Sequence, residues 1–89
     1  MPSNNMNARM LFDQGRQGFA ARDYETACGL FRRAVTEDPM FSEAHRYLAE
    51  TYEKLGYRHR ARKAWEALLR VTRDAEQQED IKRRLEALA

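Results

Sequence analysis

Apolar residues recur along most of this chain every three or four positions, the spacing of an amphipathic helix. Met10, Leu11, Gly15 and Gly18 form the first such series, with Gln14 in the same row and Phe12 and Phe19 on an adjacent stripe. Asn7 stands where an N-cap belongs, so the pattern predicts a helix from Asn7 to about Ala21. A turn at "ARDYE" follows, with Asp23 as the next cap, and Ala27, Leu30, Phe31, Ala34 and Val35 mark one face of a second helix. Pro39 ends that helix, because a proline pushes the residue before it out of the helical region. Ser42 is the candidate cap of a third helix carrying Ala44, Leu48, Ala49, Tyr52 and Leu55, which Gly56 closes. A fourth, about Arg58 to Thr72, carries Ala61, Ala64, Trp65 and Leu68. "DAEQ" at 74–77 reads as a capping box opening a fifth, with Ile81, Leu85 and Leu88. Five helices joined by short turns leave no length for a sheet, so the fold class is all-α.

Laid over itself, the chain repeats. Ala27 and Ala61 are 34 residues apart, as are Phe31 and Trp65, Gly15 and Ala49, Leu30 and Ala64, and Val35 and Leu69. A period of that length with two helices per unit is the tetratricopeptide one, whose pattern runs W-x2-L-G-x2-Y, then A-x3-F, then P. Leu48-Ala49-x2-Tyr52 and Ala61-x3-Trp65 fit it in the second unit, and Gly15, Ala27-x3-Phe31, Ala34 and Pro39 in the first. Over about residues 8–75 the chain resembles a tetratricopeptide-repeat protein. The resemblance implies two antiparallel helix hairpins and a capping helix: repeat one at 8–41, repeat two at 42–75, the cap at 76–89. All form a single domain over 7–89, behind a flexible lead-in at 1–6. Gly15 and Ala49 would face Ala27 and Ala61, since antiparallel helices approach closely only over small side chains, and Pro39 would be the joint between the repeats.

The chain departs from the pattern in places. Gln14 and Gly18 stand where a leucine and a tyrosine are usual, leaving the first helix under-filled. A strict third repeat would turn Glu79, Lys82, Arg83 and Glu86 inward; a shift of two residues turns Ile81, Leu85 and Leu88 inward instead, as a capping helix would. Two units and a cap fall short of the roughly three that stacked repeats need, and self-association is one way to supply the missing stack.

Composition narrows the function. Sixteen basic residues against fourteen acidic give a net charge of +2, so no global field points to nucleic acid or an anionic membrane. Cys28 is the only cysteine, which excludes an internal disulfide and a Cys-rich zinc site and suits a reducing compartment. No apolar run has the length of a signal peptide core or a membrane span, and the expected location is cytoplasmic. There is no phosphate loop, no H-E-x-x-H and no nucleophile beside a histidine base. His45 takes a packing position and His59 lies among arginines in a turn, too far apart in type and place for a metal site. The reading is a protein that is not an enzyme and needs no cofactor and no metal.

By the same resemblance, the first helix of each hairpin lines a concave groove for a peptide or helical segment of a partner protein. That face would carry Arg9, Phe12, Arg16 and Phe19 from the first unit and Phe41, Glu43, Arg46, Glu50 and Glu53 from the second. Rings alternating with arginines suit a ligand with apolar anchors and acidic groups; the alternative is that Phe12 or Phe19 simply covers the under-filled first helix. Two other readings stand beside it. One is a self-assembling homo-oligomer, paired through the under-filled first helix or the groove. The other uses the basic segment 58–73, with Arg58, Arg62 and Arg73 as a stripe, to touch nucleic acid. Against the last, Glu66–Arg70, Glu79–Arg83 and Asp80–Arg84 are acid-first pairs four apart, as on an ordinary solvated helix.

Overall fold

The first free amides of a helix need acceptors, and where the chain supplies a side-chain oxygen a helix can start. The structure, a computed structural model, describes residues 3–89. Helix α1 (Met6–Ala20) starts one residue earlier than expected because Asn5, not Asn7, is its cap, Oδ1 accepting from the Ala8 amide at 2.9 Å. Asp23 caps α2 (Tyr24–Glu37) through the Thr26 amide at 3.4 Å. Helix α3 (Ser42–Leu55) has Phe41 in the cap position, so Ser42 is its first helical residue and not its cap. Helix α4 (Arg58–Val71) follows Gly56, which closes α3 in the left-handed region at φ 80°. Asp74 opens α5 (Ala75–Ala87), accepting from the amides of Glu76 at 2.8 Å and Gln77 at 3.3 Å.

Helices α1 and α2 form one hairpin and α3 and α4 a second; α2 packs on α3 to join them, and α5 lies on α4. The fold is all-α, and α2 and α4 begin and end 34 residues apart. Helix α2 stops two residues before Pro39, and the joint that follows is tied by His45, whose Nε2 bonds the Pro39 carbonyl at 2.7 Å. The lead-in is anchored where it is described. Ser3 is buried and its hydroxyl donates to Asp38, while Asn5 Nδ2 donates to the Glu37 carbonyl at 3.2 Å. Met1 and Pro2, the rest of the lead-in expected to be flexible, lie outside the described residues.

Trp65, Phe31 and Ile81 are fully buried, each burial contributing about 2 kcal/mol. The inward faces of α2, α4 and α5 are those the pattern predicts. Helix α1 is turned: Ala8, Phe12 and Gly15 face the core, and Met10 faces solvent. The expected contact of Gly15 with Ala27 is also displaced by three residues. Gly18 is the glycine that meets Ala27, and Gly15 lies under the ring of Phe31.

Candidate functional site

The residues expected to line a groove divide into three groups. Phe12 and Phe41 belong to the core, 5% and 2% exposed. Phe12 packs on Phe41 at 4.8 Å between ring centroids, on Tyr47 at 5.4 Å and on Phe31 at 5.8 Å. Phe19, half-buried, adds edge contacts to Tyr24 at 5.3 Å and Tyr47 at 5.5 Å. Phe12 and Phe41 are therefore corrected from ligand face to core.

A second group is engaged by other parts of the chain. The Arg46 guanidinium lies 5.4 Å from the Trp65 ring centroid and 3.6 Å from Asp80 of α5. Glu53 accepts from Trp65 Nε1 at 2.6 Å, and Arg84 of α5 covers the same indole at 4.9 Å. Helix α5 thus folds its charges over the indole and takes up Arg46, which the sequence offered to a ligand.

The third group is open to solvent. Arg9 and Glu43 are exposed, and Glu50 is half-buried. Arg16 rests on Phe12 at 5.7 Å and on Tyr47 at 5.9 Å. Together with Asp13, Gln17, Phe19, Ala20 and Tyr47 it lines an open cleft of about 500 Å³ along α1. Of the nine expected residues, Arg16 and Phe19 share this opening.

Another opening was not foreseen. Arg32, Arg60 and Lys63 rim a cavity of about 360 Å³ between α2, α3 and α4, floored by Val35, Leu48, Ala64 and Ala67. Its cations come from α2 and from the basic segment 58–73 of α4, where the sequence pointed to Arg58, Arg62 and Arg73 instead. Nearby, burial pushes the Cys28 thiol above its ordinary 9.0 and the Tyr52 phenol above its ordinary 10.0, and the two side chains are hydrogen-bond partners. Tyr57 donates to Glu25 at 3.2 Å, and that bond raises its phenol as well. A thiol held protonated in this way is a packing group, not a nucleophile. Among the described residues no three His, Cys, Asp or Glu side chains converge as a metal site needs, and no helix is long and apolar enough to cross a membrane.

A family model described as alkyl sulfatase dimerisation matches residues 6–78, which span α1 to α4 and the first turn of α5. Neither curated proteins nor solved structures give a match. The family match overturns the tetratricopeptide resemblance. A 34-residue period with small residues at close contacts follows from the geometry of stacked hairpins of this helix length, and by itself it does not name the family. The peptide groove implied by the resemblance loses its basis with it.

Proposed function

The chain belongs to the alkyl sulfatase dimerisation family, and from that premise we propose that it is a non-catalytic self-association element that pairs with a second copy of itself. The observation carrying this is the extent of the match, which takes in both hairpins whole. One further feature supports it. Met6, Met10, Met40 and Tyr57 are large apolar side chains left open to solvent.

The test is the solution mass by light scattering, over about a hundredfold range of protein concentration, because pairing follows mass action. A mass that rises to twice that of the chain supports the proposal. A single-chain mass throughout that range refutes it.

A further inference from the structure

We infer that α1 is the pairing helix and that two copies meet through it antiparallel, across a two-fold axis. The inference rests on the self-association proposed above and names its surface. Helix α1 is an edge element: it packs on α2 and touches α3, and among the described residues its opposite side meets no other helix. That outer side carries Met6, Met10, Asp13, Gln17 and Ala20. Steps of four and three residues in alternation make a straight seam along a helix, the spacing by which two helices pack side by side. Met6 and Met10 on it are 75% and 56% exposed. Methionine is the apolar side chain that adapts most readily to a second surface.

The charges choose the orientation. Asp13 is the one charged residue on the seam, and Arg16 flanks it; neither joins an ion pair among the described residues. In a parallel pair, Asp13 would oppose Asp13 of the second copy, which like charges disfavour. In an antiparallel pair with Met10 against Ala20 of the second copy, Asp13 falls opposite Gln17 and beside Arg16 of that copy. The two-fold axis repeats the arrangement, so each carboxylate gains an amide and a guanidinium as donors, and Met10 of each copy meets the small Ala20 of the other. Arg16 is already held in place on the Phe12 and Tyr47 rings, so little side-chain freedom remains to be lost on pairing. The fifteen residues of α1 span about 22 Å. A contact of that length is small, and the pair should dissociate on dilution.

The experiment uses the full chain with Cys28→Ser. Met10→Cys and Ala20→Cys variants are mixed and mildly oxidised; the expected product is the mixed disulfide dimer, with little self-linked Met10→Cys. In parallel, light scattering follows charge variants whose helicity is checked by circular dichroism. Asp13→Arg and Arg16→Asp should each weaken pairing by about tenfold, and the two combined should recover most of it, because the exchanged charges again face each other. Efficient self-linking of Met10→Cys would overturn the antiparallel arrangement. A dimer mass indifferent to Asp13→Arg and to Met10→Glu would overturn α1 as the surface while leaving self-association standing. A single-chain mass at every concentration would overturn both.

Discussion

The ring of Phe31 lies 2.6 Å from the point where a Cβ on Gly15 would stand, closer than side-chain carbons approach. Glycine at this position is therefore required by a neighbour on α2 and not by a turn. Gly15→Ala should be destabilising. Moving a fully buried ring costs about 1–3 kcal/mol, against about 1 kcal/mol returned by the better helix former. Gly18 is different, since its Cβ would stand 3.4 Å from Ala27, close to ordinary contact. Gly18→Ala should gain up to about 0.5 kcal/mol from helix propensity. Urea unfolding of the two variants decides it, and a Gly15→Ala midpoint at or above that of the parent chain would contradict the geometry.

Trp65 is fully buried, bonded to Glu53 at 2.6 Å and faced by Arg46 and Arg84. Trp65→Phe keeps most of the apolar volume but leaves Glu53 without its donor and opens a small void. The expected loss is about 1–3 kcal/mol, with the urea m value unchanged. Glu53→Gln, whose amide oxygen still accepts from the indole, should lose less than half as much.

Cys28 and Tyr52 make stability depend on alkaline pH. In the unfolded chain they lose their protons near the ordinary 9.0 and 10.0, while in the folded chain burial holds both protonated for longer. Their contribution is thus whole below pH 9 and is lost as the pH rises through the raised folded values. Urea unfolding at pH 7, 9 and 10 should show a flat region followed by a fall, and Cys28→Ala should make that fall shallower. The same burial predicts that the native thiol reacts slowly with a thiol reagent at pH 7 and quickly once the chain is unfolded.

Gly29 lies on the exposed side of α2 with nothing within 4 Å of a would-be Cβ. No turn, contact or positive φ explains it there. Gly29→Ala should stabilise the helix by about 0.5–1 kcal/mol and raise Tm by a few degrees. The pairing equilibrium should be unchanged, because the proposed interface is on α1. Loss of pairing in this variant would put the outer face of α2 in the contact instead.

Helices α2 to α5 were legible in the sequence to within a residue or two because each has one apolar stripe and firm punctuation. Asp23, Pro39, Gly56 and Asp74 act locally, through cap bonds and backbone limits that need no partner. Helix α1 was misjudged because Met10, Leu11, Phe12 and Phe19 offer more than one stripe, and the helix alone does not choose among them. Phe31, Phe41 and Tyr47, brought in by α2, the joint and α3, make Phe12 the inward residue and leave Met10 outside. The candidate ligand face failed in part for a similar reason. Asp80 and Arg84 are distant in sequence from Arg46 and Trp65, and α5 brings them together.

By itself the sequence determined that this protein is all-α, where its turns fall, and that two hairpins of equal period make up most of it. Those properties depend on local backbone preference and on spacing within a single helix, which the order of residues contains in full. Tertiary structure alone decided which side of α1 is buried, which rings fill the gap beside its glycines, and which arginines already have partners. It also left a methionine-bearing seam on α1 facing outward. These outcomes depend on competition between side chains from different helices for the same volume and the same charges, and that competition exists only once the helices are packed.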